Sequence, residues 1–416
     1  MPIIDKNMIN MEGNIEFEDL DLEFGYSCMP DRLHYYSQEE NEFRMEVRKW
    51  CKQNIQPVSD KIDKERNTEL AVETLRKMKQ YLNIVIPEEV GGLGKGILYR
   101  TIFGEELSAF NYSIATIFGA SSCLFAGPII EYGTSEQKKK YLSGIADGTK
   151  IGAIGITEPT GGSDAVGGMN LRAVKQGNHY VLNGEKRFIT NGSVADYICL
   201  YAVTNDQVKR HQGISAFIFE TDTPGFKVTK EYKHMGRRGM PNSHLRFDNC
   251  EVPLENLLHK ENEGVDVLMF GLDGERTFTA SQYVGLARSA FEVAFKYAHR
   301  RHQFKKPIYS FEGISFKLSE MFMDIELNRM AMVQIARMLD EGHYCRASVA
   351  ALKAKLADAT VKITQDAIQV VGGLGYSEDY PLERYYRDAK VGQIAAGSTE
   401  IMKFLISREM VRMWGK

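Results

Sequence analysis

Phe43, Val47, Trp50 and Cys51 recur at helical spacing, and Val72, Leu75, Met78 and Leu82 repeat the period. Each set places its apolar side chains on one stripe of a helix. Ser37-Gln38-Glu39-Glu40 ahead of the first set has the form of a capping box, which predicts a helix start. The glycine-rich stretch from Glu88 to Gly96 follows no strand, so it reads as a turn between helices rather than a nucleotide loop. The pattern then becomes β-prone. His179 to Thr190 carries Asn183-Gly184 between β-prone runs, which predicts a hairpin turn at that dipeptide. Two more β-prone stretches follow, from Asp196 to Thr204 and from Ile214 to Thr221. Beyond residue 260 the helical period returns, with no proline between Pro253 and Pro307 or between Pro307 and Pro381. Leu318, Met321, Ile325, Met332, Ala336 and Leu339 share one face. Val349, Leu352, Leu356, Ile363, Ala367 and Val370 share another, and Gly372-Gly373 ends that helix. Long helices with short connections make a bundle. The predicted class is α+β: an N-terminal extension over 1–36, an all-α domain over 37–150, an antiparallel β domain over 151–260 and a helical bundle over 261–416.

Charge and composition narrow the function classes. Lys plus Arg (52) nearly cancel Asp plus Glu (55), which gives no global electrostatic support for binding nucleic acid or an anionic membrane. No apolar run is read as reaching the ~18 residues of a membrane span, so no membrane insertion is expected. The six cysteines are scattered, with no CxxC pair and no histidine cluster, which points to a reducing, cytoplasmic compartment and to no metal site. Asp5 to Asp31 holds eight carboxylates and one lysine, which excludes a cationic signal or transit peptide. That stretch reads as an extension, packed or disordered, with a partner-docking arm as the alternative.

Candidate chemistry lies at three places. In "ITEPTGGSD", Thr157, Thr160 and Ser163 offer hydroxyls, and Gly161-Gly162 lets backbone N–H groups approach a ligand closely; alone, the segment reads equally well as a turn. Phe188 and Thr190 in "RFITNG" add an aromatic ring and a hydroxyl. Donors at an edge with apolar matter against a face are what a planar polar ring system needs. Arg301, Gln303 and Phe304 could bind a pyrophosphate and cover a base, or form a solvated basic turn.

Six segments in this order resemble the acyl-CoA dehydrogenase family: "TEPTGGSD", "RFITNG", "HMGRRGM…FDNCEVP", "YAHRRHQFKKPI", "QVVGGLGY" and "RYYRDAK…GSTEI". The resemblance runs from about Ser37 to the C-terminus. It implies a helical domain, a β domain and a four-helix bundle holding FAD, usually in a homotetramer that passes electrons to electron-transferring flavoprotein. Carried over by motif, Ile154, Ile156, Thr157, Gly162 and Ser163 would line the flavin, with Thr157 at its pyrimidine edge. Phe188 and Thr190 would flank the ring. Arg301, Gln303 and Phe304, with Gln369, Gly372 and Gly373, would contact the FAD of another subunit. Ser398, Thr399 and Glu400 would lie at the diphosphate and adenosine. Ser163, Arg276, Ala396 and Gly397 would meet the substrate.

The family reaction removes the α-proton of an acyl thioester while a hydride passes to the flavin. That weakly acidic proton needs a carboxylate in a dry site. Many relatives carry a glutamate where this chain has Ala396. The subset that includes isovaleryl- and long-chain acyl-CoA dehydrogenases places it instead in a Glu-Arg pair at the start of a long bundle helix. Glu275-Arg276 fits that position, so Glu275 is the expected base, with Glu400 a competitor on the FAD side. The Ala396 N–H can still donate to the thioester carbonyl. A flavin oxidase or monooxygenase on the same fold, and a non-catalytic interaction protein that kept it, are the competing readings. The acyl group itself is not selected by these motifs.

Overall fold

Helix α1 (Gln38–Asn54) begins with a complete capping box: Ser37 Oγ accepts the Glu40 N–H, and the Glu40 carboxylate accepts the Ser37 N–H. The structure is a computed structural model that describes residues 33–415; the acidic stretch from Asp5 to Asp31 lies outside the described residues. Val47 and Cys51 of α1 are buried in one cluster with Val72, Leu75, Met78 and Leu82, so the apolar stripes meet as their spacing predicts. The glycines after Glu88 form the expected turn, with Gly91 and Gly94 at φ 89° and 58°. Helices α2 (Ile97–Phe110) and α3 (Tyr112–Gly119) follow, and a π-helical segment, Ala120–Ala126, continues α3 toward Tyr132.

Tyr112–Tyr132 corrects one expectation. It is long and apolar enough to cross a membrane, although serines and threonine break up its apolar run; most of it is buried inside the fold. Phe118 packs on Phe278, and Phe125 on Tyr197, so its apolar surface is spent on the protein's own core.

The middle region holds strands β1 (Gly152–Gly155), β2 (Arg172–Gln176), β3 (His179–Thr190), β4 (Tyr197–Val203), β5 (Ile214–Glu220), β6 (Phe226–Glu231), β7 (Asn242–Pro253) and β8 (Leu257–Leu258). Their order is β6-β7-β3-β2-β4-β5-β8, with β1 beside β4. Pairing is antiparallel as predicted, except that β1 and a single β2 residue run parallel to β4. β4 and β5 are buried on both faces. Cys199, Tyr201 and Val203 face the helices, and Ile198, Leu200 and Ala202 face the other half of the sheet, as the two-residue period of a strand requires.

The hairpin expected at Asn183-Gly184 is not there. Both residues lie inside β3; the β2–β3 turn falls one half-strand earlier, around Gly177, with Gln176 opposite His179. Asn183-Gly184 instead shifts the register against β7. Asn183 and Asn249 exchange two hydrogen bonds there, of 3.1 and 2.9 Å. A Cβ on Gly184, at φ 147°, would come within 2.8 Å of Leu171 Cα. The dipeptide that suits a tight turn also suits a bulge, and cross-strand partners decided between them.

The C-terminal region is a four-helix bundle of α4 (Gly264–Arg300), α5 (Glu312–Asp340), α6 (Arg346–Val371) and, after the short α7 (Leu382–Lys390), α8 (Thr399–Trp414). The predicted stripes of α5 and α6 lie together in its core, except that Ala336 is buried with Leu98 and Ile102 of α2, and Gly372, at φ 73°, ends α6. α4 has 37 residues, about 55 Å, and is buried on nearly every side. The reason is α2, which packs closely across it: a Cβ on Gly285 would meet Glu105 O at 2.2 Å, and one on Gly104 would meet Ser281 Oγ at 2.3 Å.

Candidate active site

Glu275 lies about three turns into α4 rather than at its start. Its Oε1 accepts a 2.7 Å hydrogen bond from Thr279 Oγ1, one turn on. Its Oε2 is buried and has no partner among the described residues. Burial pushes the carboxyl above the usual carboxylate range, against the opposing pull of Arg276, Lys353 and Arg237. A desolvated carboxylate with one free oxygen can accept a proton from a group brought beside it. Glu400 offers no such setting. It is exposed in the first turn of α8 and held below the usual range, first by a backbone N–H and then by Ser398.

The turn from Gly392 to Ser398 packs against α4 at Arg276, the residue after Glu275. Arg276 Nε reaches Ala396 O at 3.5 Å, and Arg276 is itself fixed by Asp273 at 3.1 Å. Ala396 and Gly397 both adopt left-handed backbone, at φ 57° and 86°. A non-glycine residue there costs about 1–3 kcal/mol and persists only where its surroundings hold it. Lys353 does the holding. Its buried Nζ donates to Gly392 O, Ala395 O and Gly397 O at 2.8, 2.8 and 2.5 Å. Burial pushes its pKa down to about 8, so it still carries its proton at neutral pH. Lys353→Met keeps the stem and removes the donor. It is expected to raise amide exchange at Ala395 to Ser398 and to lower unfolding stability by roughly 1–3 kcal/mol. Unchanged exchange in those amides would mean that the turn holds itself. Sequence reading missed Lys353, although one signal was present: a lysine placed among Val349, Leu352 and Leu356 on an apolar stripe.

The sheet supplies the opposite wall. Buried Lys186 pairs with Glu158 Oε1 at 2.8 Å and donates to Ile156 O at 3.1 Å. Glu158 also accepts the Asn170 and Leu171 N–H groups, and Arg187 N donates to Thr157 O at 2.7 Å. These contacts fix the segment after β1, so Ile154 is buried, Ile156 and Thr157 are half-buried, and Gly162 and Ser163 are exposed. This polar scaffold was also unread in the sequence. Phe188 sits at a register shift of β3 with φ 57°, its exposed ring 4.6 Å from that of Tyr232. Thr190 Oγ1 lies 3.9 Å from Met240 sulfur, and Met240 shares a buried cluster with Phe278 of α4. Asn191 ties this strand end to α3 and β1 through Ile117 O and Gly152 O, both at 3.0 Å.

The residues present fit the flat, polar group that the resemblance implies. Asn242 Oδ1, next to Thr190, and Thr399 Oγ1, at the start of α8, are buried without a hydrogen-bond partner among the described residues. No atom lies near where a Gly162 Cβ would stand. Ser398 caps α8 through Ile401 N at 3.3 Å, leaving a helix N-terminus that favours anions.

Arg301, Gln303 and Phe304 are not brought to this wall. They lie at the far end of α4, about 39 Å along the helix from Glu275. Gln369, Gly372 and Gly373 share that end, where Tyr380 meets the Tyr297 ring edge-on at 6.3 Å. Phe304 is 86% exposed, and Gln369, Gly372 and Gly373 face outward. The predicted set therefore falls into two groups that one chain holds apart.

Family models described as acyl-CoA dehydrogenase N-terminal, middle and C-terminal domains match residues 37–149, 153–250 and 262–411. An acyl-CoA dehydrogenase of Bacillus subtilis is 38% identical over 379 residues, covering 91% of this chain and 99% of the relative. The solved butyryl-CoA dehydrogenase of Megasphaera elsdenii superposes with a TM-score of 0.87 at 35% identity, covering 91% of this chain and 99% of that one. A chain solved in work on the electron-transferring flavoprotein of Acidaminococcus fermentans gives a TM-score of 0.88 at 37% identity, again over 91% and 99%. With the Glu275 site, the two walls and these matches together, the chain belongs to the acyl-CoA dehydrogenase family of oxidoreductases.

Proposed function

We propose that the protein dehydrogenates an acyl-CoA thioester between its α and β carbons, with Glu275 as the acceptor of the α-proton. The observation that carries this reading is the free, desolvated Oε2 of Glu275, on the helix whose next residue, Arg276, meets the Ala396 turn. FAD is the cofactor and, when bound, supplies the hydride acceptor. Ile154, Ile156, Thr157, Gly162, Ser163, Phe188 and Thr190 are the residues that would hold its ring, with Ser398, Thr399 and Glu400 toward its diphosphate and adenosine. The Ala396 N–H, set by the left-handed turn, would donate to the thioester carbonyl and acidify the α-carbon. Gly397, Ser163 and Arg276 complete the substrate side. Electron-transferring flavoprotein is the proposed acceptor, supported by the relative solved in work on such a protein. The five described cysteines are buried free thiols, which suits the reducing cytoplasm we assign to it. Anaerobic mixing of the purified protein with a panel of acyl-CoA thioesters should bleach its flavin absorbance, and electron-transferring flavoprotein should restore it. Rapid recovery in air alone would favour an oxidase instead.

The far group of residues supports a homotetramer in which a neighbour closes each flavin site. Phe304→Asp puts a charge on that exposed ring position and should lower both assembly and FAD retention. Light scattering and the flavin-to-protein absorbance ratio report the two. A variant tetramer with full flavin would reject the shared site.

A further inference from the structure

The geometry points to Arg237 as the residue that recognises a carboxylate at the far end of the acyl chain, so that the preferred substrates are thioesters of dicarboxylic acids. This rests on the dehydrogenase reading above and adds the substrate class to it. Arg237 lies in the loop between β6 and β7 and is only 8% exposed. Its backbone is left-handed, at φ 50°, and its N–H donates to Asp388. That bond uses the main chain and not the guanidinium. No described carboxylate makes an ion pair with it. Among the described residues its Nη2 has one long contact, 3.5 Å, to Tyr112 Oη, and its Nε is buried with no partner. The planar group lies 4.5 Å over the Tyr112 ring.

Of the carboxylates in that region, Asp388 accepts the Arg237 N–H, Glu275 is the proposed base, and two others are committed elsewhere. Asp63 pairs with Arg387 at 2.6 Å and faces Arg238 at 3.8 Å, and Asp60 pairs with Arg384. A buried guanidinium without an ion pair is costly, and an anion arriving from outside would offset that cost. The location says which anion. Glu275, Thr279 and Tyr283 follow one another at four-residue spacing along α4, which lines them up on one stripe of the helix. Tyr283 stacks on Tyr112 at 6.4 Å, and its hydroxyl donates to Gly392 O at the root of the Ala396 turn. The stripe thus leads from the proposed base to the aromatic pair beneath Arg237. A thioester whose α-carbon sits at Glu275 would direct its other end toward that guanidinium, whose planar fork suits a carboxylate.

The test uses the flavin-loaded protein and Arg237→Met, with Arg237→Lys as the conservative variant. Removing an uncompensated buried charge in favour of an apolar side chain should leave folding and flavin content intact. Kinetic readout is kcat/KM for flavin bleaching by succinyl-, glutaryl- and adipyl-CoA against butyryl-, valeryl- and hexanoyl-CoA. Binding readout is calorimetry with two unreactive thioethers, one ω-carboxyalkyl-CoA and one alkyl-CoA. The parent should prefer the carboxylate-bearing member of each pair. Arg237→Met should lose that preference by about 30-fold or more, and lysine should restore part of it. Equal binding of the two thioethers by the parent, or a ratio unchanged in Arg237→Met, overturns the proposal. Loss of flavin on Arg237→Met also overturns it, because the cation would then serve the cofactor. Arg237-dependent binding of the carboxyalkyl thioether without bleaching by any thioester supports it and sinks the dehydrogenation reading instead.

Discussion

Glu275→Gln should slow the bleaching of bound flavin by an acyl-CoA thioester about 10²–10⁴-fold while the flavin stays bound. The amide keeps the shape and the Thr279 hydrogen bond but cannot take a proton. Stopped-flow absorbance on the anaerobic protein measures it. The parent should also show an acid limb. Only ionised Glu275 is a base, and burial raises its pKa, so the rate should fall as pH drops through that raised value; the variant should lack the limb. Stability should move the other way. A carboxyl whose folded pKa is raised loses stability as pH rises through the window between its unfolded and folded values. Removing its charge should therefore leave the protein no less stable at neutral pH. Ala396→Glu, made on the Gln background, places a carboxylate at the alternative position and should recover part of the rate with small acyl groups. Parental bleaching by Glu275→Gln would place the base elsewhere.

The largest stability change is expected from Glu106→Gln, about 3–5 kcal/mol. Glu106 has no exposed side-chain surface, and its carboxylate joins Arg48 at 2.9 Å and Arg288 at 2.8 Å, with Arg44 at 3.6 Å. Burial by itself would raise its pKa, but Arg288, Arg48 and Arg44 outweigh it and hold the carboxyl well below the usual range. Its stabilisation is thus present at neutral pH and is lost only as pH falls through that lowered value. These side chains come from α1, α2 and α4, so one carboxylate ties the N-terminal helices to the bundle. Removing it leaves buried guanidinium groups without their main partner. Denaturant unfolding should show a lower midpoint at unchanged slope. A shift below about 1 kcal/mol would mean that Glu105 takes over the arginines, since it already meets Arg288 at 3.0 Å and Arg329 at 2.8 Å.

Features that depend on neighbours in the chain were legible without the fold. The Ser37 capping box, the stripes of α1, α5 and α6, the β-prone runs of β4 and β5, and the Gly372 stop each follow from local spacing and backbone freedom. Family motifs named Glu275 and the two groups of proposed flavin residues, but not their separation by most of the length of α4. Where distant contacts set the outcome, local reading failed. Asn183-Gly184 became a bulge because Asn249 and Leu171 faced it. Lys353, Lys186 and Arg237 are ordinary basic residues in the sequence. Only the fold buries them and decides their partners: three turn carbonyls for Lys353, Glu158 for Lys186, and, among the described residues, no ion-paired carboxylate for Arg237. Periodicity reports which face of an element meets the core, whereas the energy of a buried charge depends on which groups from remote segments stand opposite it.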